Sequence, residues 1–350
     1  MVHLTLLAAS LLSFLKNKGK PLIWGSFVVL FAFSALRYGY GNDYFSYLGI
    51  YNYIKLNGWY DYYEKNPLFI LLNRFSPNFY IFVAVTSLAF LVAIFVLIYR
   101  NVSPKYQGIA VLLFVLNPYI FLTNLSAIRQ ATAMVVFVLA IYFSMKKKIV
   151  PYILLILVAS MIHTSAILLL PIYFVANTKK ISRPFLFIFT IIVALLVLSP
   201  ASYDWFVGLF EEFLAENRYD RYIQEQGNSI YATIMALVYF VYVALNIRKL
   251  DGKKQAFAKL YLISTTISLI AYKASIFTRL DIYFIIFGLI TIPNIIEHNV
   301  KNEKRPLPRF INVYLFPAFI LLTYAIKYYN FFTEPNWASY RTYETFLRIY

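Results

Sequence analysis

Long uninterrupted apolar runs alternate with short polar segments along this chain, and that pattern predicts helices that cross a membrane. A spanning helix needs about 20 mostly apolar residues. Such runs lie at 2–15, 21–36, 78–99, 107–124, 128–145, 185–198, 230–247, 256–272, 280–296 and 310–326. A further apolar stretch covers 150–175 and has lysine clusters on both sides, at 146–148 and 179–183. It is too short for two full crossings, so if both clusters face one side it must enter and return. Two short helices meeting near 161–164 are therefore predicted, against the alternative of one long tilted span. Broken backbone at membrane depth is tolerated only where it is buried in protein or lines a cavity. The runs are too long and too even for the alternating strands of a transmembrane barrel. The expected architecture is an all-α polytopic membrane protein of about 10–12 transmembrane helices, including the short broken pair. It reads as a single domain over 1–350, without repeats. The first apolar run precedes its lysines and has no clear cleavage site, so it is expected to be a retained helix and not a signal peptide.

Composition narrows the class. Hydrophobic residues make up 61% of the 350 and charged residues only 13%, against about 25% charged in soluble domains. A water-soluble enzyme and a disordered chain are both excluded. There is no cysteine, which rules out disulfides, thiolate metal sites and thiol catalysis. Three histidines argue against a His-rich metal centre, and no metal or cofactor is expected.

The net charge of +17 would suggest nucleic acid in a soluble protein. In a membrane protein its distribution decides. With the N-terminus outside and the spans alternating, the inside segments are 16–20, 100–105, 146–148, 177–183, 248–259 and 297–309. They hold twenty of the 32 basic residues and three of the 15 acidic ones. The remaining charges cancel on the other face. This is the positive-inside bias; it orients the chain, puts both termini outside and implies no nucleic-acid partner.

The outside face then carries three longer polar segments, the loops at about 37–77 and 199–229 and the tail at 327–350, all rich in Tyr, Trp and charge. Loops on a rigid scaffold commonly present functional residues. Tyr60, Tyr62 and Tyr63 read as an interfacial belt, whereas Trp59 and Trp337 suit either a belt or a sugar face. The run EEFLAENRYDRY at 211–222 reads as an amphipathic helix lying on the membrane.

Four motifs and the tail carry candidate chemistry. RYGYGNDY at 37–44 has glycines that permit a tight turn and would bring Arg37 and Asp43 together beside Tyr44. The pair suits either a structural ion pair or a cation for phosphate beside a carboxylate for a sugar hydroxyl. NLSAIRQATAM at 124–134 places Ser126, Arg129 and Gln130 where a spanning helix begins. An arginine there is expensive unless it is paired or faces a wet cavity, and helix N-termini favour anions. MIHTSAI at 161–167 puts His163, Thr164 and Ser165 at the predicted break, where the imidazole is either a structural hydrogen-bonding group or a base. KASIFTRLDIYF at 273–284 clusters Lys273, Arg279, Asp281 and Tyr283, with Arg279 toward substrate and Asp281 toward structure in one reading. The tail WASYRTYETFLRIY adds Arg341 as a cap over a groove. Arginine forks match phosphate, and carboxylates with aromatics suit sugars; a pyrophosphate-linked lipid sugar satisfies both.

RYGYGNDY, AIRQATA, IHTSA, TRLDIYF and the Tyr/Arg tail, in that order, resemble the EpsG-type, Wzy-like polysaccharide polymerases over nearly the whole chain. The resemblance implies a GT-C-like membrane glycosyltransferase of the bacterial plasma membrane with its active site outside. Its substrate would be an undecaprenyl-pyrophosphate-linked oligosaccharide, transferred from one lipid carrier to the acceptor sugar of another by inversion and without metal. Membrane lipid and a chain-length regulator are the partners implied. Arg129 and Arg279 would hold the pyrophosphate, Arg37 would add a third cation, and His163 or Asp43 would take the acceptor proton. Tyr44, Ser126, Gln130, Thr164, Ser165, Lys273, Asp281, Tyr283 and Arg341 would line the substrate. The alternatives are a flippase for lipid-linked sugars, a membrane acyltransferase and a structural partner in glycan assembly. No nucleotide-binding pattern occurs, and the paired interruptions of transporter repeats are missing from the sequence. Reporter tags beside Arg129 and Arg279 are expected on the side opposite the lysine clusters; cytosolic signals at either would overturn the topology.

Overall fold

The computed structural model describes residues 1–17, 20–58, 66–178, 230–271 and 276–348, with isolated positions between 188 and 208. Most of the apolar run at 185–198, the basic cluster at 179–183, the expected surface helix at 211–222, Trp59, Tyr60, Tyr62, Tyr63 and Lys273 lie outside the described residues. The protein is an all-α polytopic membrane protein: its only strands among the described residues are two-residue pairs, and its helices are long and apolar. Two compact units are present, one formed by Met1–Tyr173 with Pro317–Tyr350, the other by Phe174–Phe316.

In the first unit, α1 (Val2–Phe14) and α2 (Ile23–Ala35) are joined by the hairpin of β1 (Lys16–Asn17) and β2 (Lys20–Pro21). The two helices pack together, and the Ser26 hydroxyl donates to the Ala9 carbonyl at 2.6 Å. Residues 37–77, which read as a loop, instead contain α3 (Tyr44–Asn57) and α4 (Pro67–Phe75). The buried side chains of α3 are Tyr44, Tyr47, Tyr51 and Ile54, a 3.6-residue stripe. Tyrosine contributes little to hydropathy, so the stripe is invisible to a search for apolar runs. It packs with Phe69, Phe79 and Phe82 in one core cluster.

The spanning helix α5 (Phe79–Asn101) starts at Asn78, whose side chain accepts from Ile81 N–H at 2.8 Å, a standard N-cap. Its 23 residues give about 34 Å, enough to cross the hydrocarbon. The run at 107–124 is not one helix. It divides into α6 (Gln107–Leu116) and α7 (Leu122–Ser126). Pro118 excludes the residue before it from helical geometry; Asn117 takes φ −93°, ψ 100° and its side chain accepts from Tyr119 N–H. The next helix, α8, covers Ile128–Met145, as expected. The stretch at 150–175 breaks near the expected 161–164, into α9 (Ile149–Ser160), a 3₁₀ turn (Thr164–Leu169) and α10 (Ile172–Asn177). Tyr152 Oη donates to the Leu169 carbonyl at 2.5 Å and ties the two halves together.

The second unit contains α11 (Ile230–Asn246), α12 (Gly252–Ile270), α13 (Ile276–Ile285) and α14 (Gly288–Asn302). The run at 280–296 was expected to be one straight span, but α13 and α14 form a helix pair bent by 50°. Gly288 sits at the bend against Tyr261, and a Cβ there would lie 2.6 Å from the ring. The two basic segments at 248–259 and 297–309 come together. Glu297 pairs with Lys254 at 3.2 Å and Lys301 at 2.6 Å, and Lys249 donates to Asn299, which donates to Asn246. Arg305 binds Glu303 and holds its carboxyl well down, to about 2. A short helix α15 (Pro306–Phe310) and a π-helical turn follow, and lead into α16 (Phe316–Thr333).

Among the described residues, four helices are long and apolar enough to cross a membrane, and five if the bent pair counts as one span. Replacing Gly288 with alanine forces the rigid Tyr261 ring to move. Gly288→Ala is expected to destabilise the protein by about 1–3 kcal/mol, read as a lower melting temperature in detergent, whereas Gly49→Ala, which meets nothing within 4 Å, stays near wild type.

Candidate functional site

The break after α9 creates the site. Where a helix stops inside protein, its last carbonyls lose their partners and must find donors elsewhere. Here they find the N-terminus of α4. Leu68 N–H donates to Met161 O at 3.1 Å, and the Asn66 side-chain amide donates to Ser160 O at 3.3 Å. The second amide hydrogen of Asn66 goes to Thr164 Oγ1 at 3.0 Å. His163 lies between these contacts in extended geometry (φ −147°, ψ 112°) and is 4% exposed. Its carbonyl accepts from Ala166 N–H and its own N–H donates to Ala159 O. Ser165 is buried beside it.

The oxygen of Asn66 faces the other way. It accepts from a terminal guanidinium nitrogen of Arg129 at 3.1 Å. The same guanidinium lies 5.9 Å from the Phe69 ring centroid, a cation–π distance, so the first turn of α4 holds Arg129 by an amide and a ring. Arg129 is the second residue of α8, and the first turn of that helix carries no acidic residue. A cation at the positive end of a helix dipole is unfavourable by itself. The half-buried Arg129 and the α8 N-terminus together form a positive locus suited to an anion. Gln130, next in the helix, is buried.

The RYGYGNDY turn brings Asp43 to Ser126, which lies three residues before Arg129 in the chain. Asp43 N–H donates to Ser126 Oγ at 2.8 Å, which leaves the exposed carboxylate at the start of α3. Gly41 makes the approach feasible. Its φ is +107°, and a Cβ would lie 3.3 Å from Ser126 Cβ.

Arg37 is placed differently from Arg129. It is 1% exposed and donates to Ser34 O, to Ser87 Oγ at 2.8 Å and to Leu125 O at 2.9 Å. It thereby ties the C-terminal end of α2 to the middle of α5 and the end of α7, with carbonyls that attract a cation. It is not ion-paired to Asp43 among the described contacts. Arg37 lies in β3 (Arg37–Tyr38), beyond α2, and burial lowers its pKa to about 10, which leaves it cationic at neutral pH. Beside it is a cleft with room for about one water, lined by Ser87, Asn124 and Ile128. Arg37 Nε and Asn124 Oδ1 have no partner among the described residues, and as donor and acceptor they complement each other across a single bridging water.

The tail closes over this region. Strand β4 (Glu344–Thr345) pairs antiparallel with β3, and Tyr343 Oη donates to Phe33 O at 2.7 Å. Trp337 stacks on Phe331 with centroids 4.6 Å apart, so its ring packs within the protein. Arg341 is exposed and donates to the Thr333 and Glu334 carbonyls, where it caps α16. Tyr44 is buried edge-on against Phe79.

Arg279, Asp281 and Tyr283 lie on α13 in the second unit. Asp281 accepts from Ser264 and from Ser268, the latter at 2.7 Å, which clamps α13 to α12. Tyr283 is fully buried and Arg279 half-buried. Among the described residues no group of three or more His, Asp or Glu is placed to hold a metal ion.

Asn66 escaped the sequence reading. The dipeptide Asn-Pro is a routine helix start, and an asparagine there reads as an N-cap. Its side chain makes no cap hydrogen bond to α4; all its polar capacity goes to other elements.

In comparison with known protein families, residues 22–343 match the EpsG family. No curated protein and no solved structure matches the chain. Replacing Arg37 with methionine keeps the volume and removes every donor. Arg37→Met is expected to destabilise the protein by about 2–3 kcal/mol, measured by melting in detergent. Arg341→Met, at an exposed cap, is expected to shift melting far less.

Proposed function

The chain belongs to the EpsG family, and from that premise we propose that it polymerises lipid-linked oligosaccharide repeat units at the outer face of the bacterial plasma membrane. The family points to polysaccharide polymerisation in general; substrate, side and residue roles are our reading. The observation that carries it is the positive locus of Arg129 at the α8 N-terminus, held by Asn66 and Phe69 against the broken helix that bears His163.

The donor is a glycan on undecaprenyl pyrophosphate. Arg129 and the α8 N-terminus bind the pyrophosphate and stabilise the charge that grows on it as the anomeric bond breaks. His163 takes the proton from the acceptor hydroxyl of a second lipid-linked unit; Asp43 is the alternative base. One displacement inverts the anomeric carbon and releases the lipid pyrophosphate. The glycan is thereby moved to the acceptor, and no nucleotide takes part. Arg37 and Asp281 serve the scaffold, and Arg279 is a separate candidate in the second unit. The apolar side chains of α9 that face away from the protein, such as Leu154, Leu157 and Val158, suit lipid tails.

A flippase would use the same cation, but it would leave lipid-linked units inside when deleted. Cells lacking the protein are expected to display single repeat units at the outer leaflet and to lose long glycan. With purified protein and lipid-linked repeat units, Arg129→Ala is expected to slow transfer about 10²-fold or more and His163→Ala about 10²–10⁴-fold. Wild-type rates in both variants would refute the site.

A further inference from the structure

The amide of Asn66 joins two parts of the site that are far apart in sequence. Its oxygen binds Arg129 on α8 at 3.1 Å, and its nitrogen binds Thr164 at 3.0 Å and Ser160 O at 3.3 Å across the break that carries His163. The orientation of this amide is fixed by chemistry. A guanidinium offers only donors and the Ser160 carbonyl only acceptors, so a flipped amide would put N–H against N–H and oxygen against oxygen. Asn66 is 4% exposed, and water does not compete freely for these bonds. It stands at the N-cap position of α4 without capping that helix, so helix initiation does not account for an asparagine here.

We infer that Asn66 is a positioning residue that sets the Arg129 guanidinium and the His163 turn as one rigid unit, fixing the distance between the phosphate-binding cation and the proton acceptor. The inference rests on the polymerase reading above. It assigns Asn66 no contact with substrate. It acts through Arg129 on one side and through Thr164, next to His163, on the other. Phe69, one turn later in α4, holds the same guanidinium from its face, so the first turn of α4 acts as the template for both.

The isosteric change Asn66→Asp separates positioning from a structural role. Aspartate is as good an N-cap as asparagine and fills the same volume. It would draw Arg129 into an ion pair, cancel the charge meant for phosphate and remove both amide donors from the break. Transfer of lipid-linked repeat units by the purified full chain is expected to fall roughly tenfold or more in kcat/KM, with KM for the donor raised; the melting temperature falls as well, because Ser160 O loses its donor, so the coupling to Arg129 and not the stability is the deciding readout. The loss is expected to be non-additive with Arg129→Ala: in that background, Asn66→Asp adds less than a twofold further effect. Thr164→Val, which removes only the hydroxyl acceptor of the amide, supplies a second route. It is expected to give a smaller loss of the same non-additive kind, and it decides the matter if Asn66→Asp does not fold.

Wild-type kcat/KM in Asn66→Asp, or full additivity of either variant with Arg129→Ala, would overturn the positioning role while leaving the polymerase reading intact. Unchanged transfer in Arg129→Ala would overturn the polymerase site itself, and the positioning role with it.

Discussion

A helix that stops inside the protein leaves its last carbonyls without helical partners, and this constraint organises the first unit. The carbonyls of Ser160 and Met161 at the end of α9 are met by Asn66 and Leu68 at the start of α4. The C-terminus of one helix is thus satisfied by the N-terminus of another. The break can persist only while α4 stays docked, and α4 stays docked through Phe69 and Ile70, both buried. The aromatic stripe of α3 is therefore part of the support for the break, because Tyr47 packs edge-on against Phe69 at 5.8 Å. Local failure in this core would release unsatisfied backbone groups at once, at several kcal/mol each in an apolar setting.

Arg37 and Arg129 show how one residue type serves two ends. Arg37 stands just beyond a helix and Arg129 in the first turn of one, and both were candidates for phosphate. Arg37 is surrounded by the end carbonyls of two helices and a serine hydroxyl, partners that hold a cation without cancelling its charge. It behaves as a tie between α2, α5 and α7. Arg129 has the opposite surroundings, a helix N-terminus with no acid in its first turn. Its charge adds to the dipole instead of opposing it. The first arrangement lowers the energy of the fold by itself. The second places a cation at the positive end of a helix, an arrangement that favours an anion.

Much of the helical plan was legible because apolar length is a direct physical requirement of the hydrocarbon. The borders of α8 and the break near 161–163 follow from it together with the placement of lysines. Other features depend on information that hydropathy does not carry. The division of 107–124 turns on a single proline. The helices within 37–77 turn on a tyrosine stripe that scores as nearly neutral. The glycine at the bend, Gly288, is demanded by the ring of Tyr261, which lies elsewhere in the chain. Among the candidate residues, sequence brought Arg129 and His163 forward because charge inside apolar runs is costly. It could not separate Arg37 from Arg129, since their partners are backbone carbonyls and a distant asparagine. Asn66 was hidden because its commonest local use, capping, is the use it does not make.

The join between break and cation has a chemical consequence. Displacement at an anomeric carbon asks for a leaving-group cation and a proton acceptor on opposite sides of the reacting centre, at a separation set to a fraction of an ångström. Two groups carried on flexible loops would lose much of that orientation. In the proposed site the separation would be carried by one amide with three hydrogen bonds, mounted on a helix start that is itself bonded to the carbonyls of the break. The element that satisfies the break is then the same element that would set the proposed site, and the broken helix and the charged residue beside it are joined through one amide. A continuous helix over 150–175 would satisfy its own carbonyls and take no bonds from Asn66 and Leu68, and the Asn66 amide would lose the partners that fix it against Arg129. The irregular backbone is the condition for a defined position of the charge.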